Sequence, residues 1–431
     1  MMQKILASLS AGHDALEARY PGDSGARRPV HTVYGGGHLF KAETAKKLGT
    51  LALRSLTEHA PTPGAFADAL GLPTAMADVL HARVVAKLER EPVEDFRIDF
   101  EDGYGSRPDA EEDDHAMRAA TELARGTREG SFPPFVGVRV KPLTKELAPR
   151  ALRTLDLFFS TLVTGTGGAL PPGFVITLPK LQFVAQVTAF VDALEAMETK
   201  LHLAPGSLRL ELMVEQTQTL LTPDGRCALP LFHDAARGRL VGAHFGTYDY
   251  TAAVGITAAH QDHGHGAADF ARHLMQVAFA GTGVFLSDGA TNVLPVGSRE
   301  AVHAAWRLHA RHVRRSLEHG FTQGWDLHPA QLPSRYAAVF AFFLEGLPAA
   351  TARLRNFVDK AAQATLVGGV FDDAATGQGL LNFFLRGLSC GALTEAEALS
   401  TGLSLDELRS QSFGKIVTGR HTSRASVDVV G

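Results

Sequence analysis

The stretch Phe96-Arg97-Ile98-Asp99-Phe100-Glu101-Asp102-Gly103-Tyr104-Gly105 opens as an alternating strand and closes on three carboxylates and a glycine turn. Side chains alternate faces along a strand, so Asp99 and Glu101 are expected on one face, with Asp102 at the carboxyl end. Carboxylates this close repel one another unless a cation, an arginine or a shared proton neutralises them. The run therefore points to a bound group. Its other reading is a solvated acidic loop after an edge strand.

Upstream, residues 1–30 read as a helical lead-in, and His31-Thr32-Val33-Tyr34 as a short strand closed by Gly35-Gly36-Gly37. Helical segments broken at Pro61, Pro63 and Pro73 lead into the acidic strand. Downstream, a strand over 135–140 precedes a helix on which Leu147, Ala151, Leu155, Phe158 and Leu162 share a face at helical spacing. Further strands are read at 174–180, 208–215, 240–246, 283–288 and 323–328, each preceded by a helical segment. Eight strands alternating with helices imply a parallel sheet closed into an α/β (β/α)8 TIM barrel. An open doubly wound sheet requires a G-x-G-x-x-G loop after its first strand. The glycine-rich run Thr164-Gly165-Thr166-Gly167-Gly168 follows a helix instead. The expected division is a lead-in over 1–30, a barrel over 31–332 and a helical C-terminal extension or lid over 333–431.

Composition narrows the class. The 431 residues are 45% hydrophobic and 20% charged, the balance of a soluble globular protein. A net charge of −4 gives no basic footprint for nucleic acid or an anionic membrane. Cys227 and Cys390 are too few for a disulfide framework or a cysteine zinc site, and fit a reducing compartment. No apolar run reads as a signal peptide or a membrane span, so a cytoplasmic protein is expected.

Barrel chemistry sits at the carboxyl ends of the strands. There the sequence places Glu101 and Asp102, then Arg139 with Lys141, then Lys180, Glu215, Gly246-Thr247-Tyr248-Asp249, Asp288-Gly289 and His328-Pro329. Glu215 and Asp249 are hard oxygen donors suited to magnesium; the alternative is a structural ion pair with Lys180 or Arg139. Arg139 suits bidentate recognition of a substrate carboxylate. Lys180 reads equally as a catalytic and a supporting residue, and His328 as a satisfied loop histidine. The loop His260-Gln261-Asp262-His263-Gly264-His265-Gly266 has the residue types of a transition-metal site, but its glycine-flanked setting reads better as a mobile loop. The segment carrying His303, His309, Arg311, His312, Arg314 and Arg315 reads as an exposed basic helix face.

Six motifs in order carry a resemblance: Asp99-Phe100-Glu101-Asp102, Val138-Arg139-Val140-Lys141-Pro142, Leu178-Pro179-Lys180, Met213-Val214-Glu215-Gln216-Thr217, Phe245-Gly246-Thr247-Tyr248-Asp249 and Leu327-His328-Pro329-Ala330-Gln331. Together they resemble the superfamily of citrate lyase β-subunits, malyl-CoA lyases and hydroxy-oxo-acid aldolases, a phosphoenolpyruvate/pyruvate-type barrel. The acidic motif also resembles that of malate synthases. The resemblance implies a magnesium-dependent (manganese also serving) carbon–carbon lyase acting on a 2-oxo acid or hydroxyacyl substrate, with a coenzyme A thioester as an open option. It implies Glu215 and Asp249 as metal ligands, Arg139, Gly246 and Thr247 at the substrate, and Glu101, Asp102, Arg139 and Lys180 as catalytic residues. Asp102 stands where the aldolase branch carries a histidine, which leans toward the lyase branch and leaves Asp102 as the offered general base. A homo-oligomer is implied by the same analogy. A C-terminal aspartate completes the site in some relatives; Asp359, Asp372 and Asp373 are the candidates here. Two other readings stay open: a thioester hydrolase or malate-synthase-like condensing enzyme on the same barrel, and a silent metabolite-binding barrel.

Overall fold

The computed structural model describes residues 2–24, 26–359, 365–367, 370–372, 374–410 and 416. Eight parallel strands form a closed barrel: β1 His31–Gly36, β2 Asp95–Asp99, β3 Phe135–Arg139, β4 Val175–Leu178, β5 Arg209–Val214, β6 Leu240–Phe245, β7 Phe285–Ala290 and β8 Gln323–Asp326. The ring shuts where β1 pairs with β8, with His31 beside Gly324 and Val33 beside Asp326. Every β–β connection carries at least one helix, as a parallel sheet requires. The expected barrel is therefore the observed one.

The strand residues that face the helices, among them Phe96, Ile98, Val136, Val138, Ile176, Leu210 and Leu212, are almost completely buried. They pack against apolar helix faces such as Ala151, Leu155, Phe158 and Leu162. The barrel interior is polar instead. Arg97 donates from Nε and Nη2 to Glu211 (2.9 and 2.6 Å) and from Nη1 to Asp95. Thr32 donates to Asp95 (2.8 Å) and Thr177 to Glu211 (2.9 Å), while Trp325 Nε1 donates to His244 Nδ1 at 3.0 Å.

The helix Met2–Arg19 buries none of its residues, and an extended segment links it to β1. After β8 the long helix Leu332–Asp359 packs on the helices Ala77–Arg90, Arg299–Glu318 and Ala374–Ser389. The apolar stretch Pro329–Val358 is long and apolar enough to cross a membrane by length and composition, which the sequence reading overlooked. Its Tyr336, Ala337, Val339, Phe340 and Ala341 are buried in this fold, which accounts for that composition. Among its described residues the extension is mainly helical, and β9 Thr365–Val367 and β10 Val370–Asp372 pair antiparallel.

The helix Arg299–Glu318 corrects the expectation of an exposed basic face. Arg311 is exposed, but His309 and His312 point inward and are buried. His309 Nε2 lies 3.0 Å from Asp326, and His312 Nδ1 lies 2.9 Å from Thr291 Oγ1.

Candidate active site

β2 ends at Asp99, two residues earlier than a strand through Glu101 requires, because Asp99 turns the chain over itself. Its carboxylate accepts from the backbone N–H of Glu101 (2.9 Å) and of Gly103 (2.7 Å). A side chain at Gly103 would place its Cβ 2.6 Å from Asp99 Oδ2, so the turn excludes one. Glu101 and Asp102 thus sit on the turn at the mouth, not on a strand face.

Arg139, the last residue of β3, lies beside that turn. Its Nε and Nη2 donate to the two oxygens of Asp99 (2.8 and 2.6 Å), and Nη1 lies 3.0 Å from Glu101. The guanidinium stacks 4.6 Å from the Tyr34 ring centre and 6.0 Å from that of Trp325. Burial disfavours its charge, but Asp99 and Glu101 outweigh burial and hold it firmly protonated. Tyr34 and Trp325 belong to the site although the sequence reading passed over them. The available signal was their position on the first and last strands, which become neighbours only when the barrel closes.

Lys180 follows β4 with φ of 50°, left-handed for a residue with a side chain, which costs roughly 1–3 kcal/mol. The bend serves two contacts. The backbone N–H donates to Glu215 Oε1 at 2.7 Å, and Nζ reaches across the mouth. Nζ pairs with Glu101, lies 3.2 Å from both oxygens of Asp102 and 3.9 Å from Asp249. Burial opposes its charge, but the bond to Glu101 prevails and its pKa rises.

Glu215, just beyond β5, is buried, whereas Asp249, in the first turn of the helix Thr247–Ala253, is 38% exposed at the side chain. Burial, with Asp249 nearby adding repulsion, pushes the Glu215 carboxyl up to about 8. Burial likewise raises Glu101. Asp102 goes the other way: its side chain is exposed, and Arg139 and Lys180 outweigh what desolvation it suffers and hold it below the usual carboxylate range. An ion-paired carboxylate of that kind is a poor proton acceptor, which weakens the case for Asp102 as the general base. Gly246 leaves room for Glu215, since a Cβ there would lie 2.5 Å from Glu215 Cβ and 2.7 Å from Oε2. The Thr247 hydroxyl is buried and, among the described residues, has no hydrogen-bond partner.

The sequence-predicted residues Glu101, Asp102, Arg139, Lys180, Glu215, Gly246 and Asp249 therefore converge on one mouth. Others do not join them. His328 accepts from Ala330 N–H (3.2 Å) and fixes its own turn, as expected of a satisfied loop histidine. His263 is pinned rather than loose: Nε2 lies 3.2 Å from Asp288, and the ring stacks on His312 at 4.8 Å. Lys141 is taken up by the Phe100 carbonyl and Glu112. Asp373 and the side chains of Asp359 and Asp372 lie outside the described residues.

Magnesium, which the motif resemblance implies, can be tested against these donors. Burial and the repulsion of Asp249 raise the Glu215 carboxyl in spite of Lys180 and Arg139, and Asp249 is a second hard oxygen donor. Among the described residues no set of three or more His, Cys, Asp and Glu forms a ready cage. Magnesium commonly takes one or two carboxylates and fills the remaining positions with water and substrate oxygens, so the donor set fits.

A closed barrel of eight parallel strands with helices between them is a fold that this chain shares with solved structures. The chain shares the fold of a citrate lyase from Burkholderia xenovorans LB400, with a TM-score of 0.60 at 20% identity over 87% of this chain and 97% of that one. It is also similar to the protein CitE from Mycobacterium tuberculosis solved with magnesium, acetoacetate and coenzyme A (TM-score 0.47, 16% identity, 85% and 99% covered). A Haloferax volcanii malate synthase in a magnesium/glyoxylate complex gives a TM-score of 0.45 at 14% identity, with 72% and 75% covered. No curated protein matches the chain. Residues 9–416 match the model of the domain of unknown function DUF6986, and the chain belongs to that family.

Proposed function

We propose that this protein is a magnesium-dependent carbon–carbon lyase or aldolase that acts on a 2-oxo acid or hydroxyacyl substrate through an enolate. The observation that carries the reading is the acidic Glu215–Asp249 pair beside the cations Arg139 and Lys180 at one barrel mouth. Breaking a carbon–carbon bond next to a carbonyl leaves an enolate, whose oxygen needs positive charge placed in advance. Glu215 and Asp249 would hold the magnesium, which when bound supplies Lewis-acid stabilisation of that oxygen.

The chain's own residues set the rest of the geometry. Asp99 and Glu101 fix the Arg139 guanidinium in orientation, and its remaining N–H groups favour the carboxylate end of a substrate. Tyr34 and Trp325 wall the site beside Arg139 with aromatic surface. Lys180 adds a second positive charge at the rim and, through its backbone N–H, orients Glu215. Gly246 keeps the approach to Glu215 open. A coenzyme A-linked acyl group is one form that such a substrate takes.

The test is a screen of 2-hydroxy-acyl and 4-hydroxy-2-oxo acids, free and as coenzyme A thioesters, with and without magnesium. Release of a smaller oxo acid or acyl product only with magnesium, and its loss in Glu215→Gln and Asp249→Asn, is the expected result. Equal turnover in the two variants, or turnover indifferent to magnesium and chelator, contradicts the reading.

A further inference from the structure

Two cations serve the mouth, and they are held in different ways. The Arg139 fork is locked into Asp99 and Glu101 and almost wholly buried beside the turn. Lys180 carries its charge on a flexible four-carbon stem with the side chain 25% exposed. Through its ammonium and its backbone N–H it touches Glu101, Asp102, Asp249 and Glu215 at once. The ammonium thus occupies space between the acids of the β2 turn and the proposed cation ligands, while its hold on Glu215 runs through the backbone and does not depend on the ammonium.

We propose that the Lys180 ammonium is a built-in counter-cation of this acidic mouth, antagonistic to the divalent ion, and that it is released from its carboxylates when that ion binds. The inference rests on Glu215 and Asp249 being the ion's ligands. Like charges at short range disfavour one another, so an ammonium beside Asp249 weakens the divalent site for as long as it stays there. Lys180 therefore neutralises the acids in the empty enzyme and sets how tightly the metal is held.

Manganese binding to the full chain, read from the free-ion electron paramagnetic resonance signal, tests this directly. Lys180→Met keeps the backbone N–H and the stem but removes the charge. It is expected to tighten manganese binding tenfold or more, while Lys180→Arg stays within about threefold of the wild type. Unchanged or weaker binding in Lys180→Met overturns the proposal. Glu215→Gln is the companion measurement: if it leaves manganese affinity unchanged, the ligand reading itself fails; if it weakens binding tenfold while Lys180→Met does not tighten it, only the counter-cation proposal fails. Acylation of the wild-type protein, followed by mass spectrometry, needs no variant to fold. The labelling rate of Lys180 is expected to rise severalfold on adding magnesium, and a rate that stays constant or falls overturns the proposal.

Discussion

The barrel holds two sets of charge, one in its interior and one at its mouth, that differ in how far they are satisfied. In the interior, Asp95 and Glu211 meet the Arg97 fork, Thr32 and Thr177, so that each carboxylate oxygen has a donor within the protein. Burial opposes the charge on Glu211, but Arg97 and His244 outweigh it and keep the carboxylate ionised. At the mouth, among the described residues, Asp99, Glu101, Asp102, Glu215 and Asp249 share two cations, Arg139 and Lys180. The first set is closed and does structural work. The second carries a surplus of acid that burial makes costly, and a surplus of that kind persists where something else is meant to bind.

The contrast is broken most severely at the mouth. Glu215→Gln and Asp249→Asn are each expected to lower magnesium-dependent turnover by at least about a hundredfold, with urea-unfolding stability equal to or above that of the parent, since an amide has no charged form for burial to penalise. In the interior the same kind of change should act on stability. Arg97→Met leaves two buried carboxylates without their guanidinium and is expected to cost about 3–5 kcal/mol in urea unfolding, with manganese affinity of the remaining folded protein unchanged.

Gly246→Ala sharpens the comparison. The backbone there has φ of −97°, which any residue adopts, so the effect is purely steric: the new Cβ meets Glu215. Manganese affinity is expected to fall roughly tenfold, about 1.4 kcal/mol by the usual conversion, checked by titration.

Taken per unit of pH, the mildest effect is on stability. Because the Glu215 carboxyl sits near 8 in the folded chain against an ordinary 4.5, the native state binds the extra proton between those values. Metal-free stability should therefore fall as pH rises from about 5 to 8, by at most about 1.4 kcal/mol per unit. Glu215→Gln, or saturating magnesium, should flatten that slope. Chemical denaturation at several pH values measures it.

Much of this was legible in the sequence because a barrel repeats one local rule. Alternating strands and amphipathic helices gave the eight units, and polar residues at the strand ends gave Glu101, Asp102, Arg139, Lys180, Glu215 and Asp249 as neighbours before any coordinates. What stayed hidden depends on tertiary closure. Arg97 and Asp95 look like ordinary strand residues until Glu211, 114 positions later in the case of Arg97, arrives opposite them. Tyr34 and Trp325 meet only where β1 closes on β8. His309 and His312 sit among arginines in a helix that reads as a basic face, and only packing against Asp326 and Thr291 shows which way they turn. The β2 strand was read too long because the local pattern does not reveal that Asp99 accepts from the backbone of its own turn.

The most direct measurement is anomalous diffraction from crystals of the protein soaked with manganese. The account predicts a peak at the barrel mouth with one oxygen of Glu215 and one of Asp249 each about 2.0–2.2 Å from it, and the Lys180 ammonium moved away from Asp249. A peak elsewhere, or none at this mouth under saturating manganese, would contradict it.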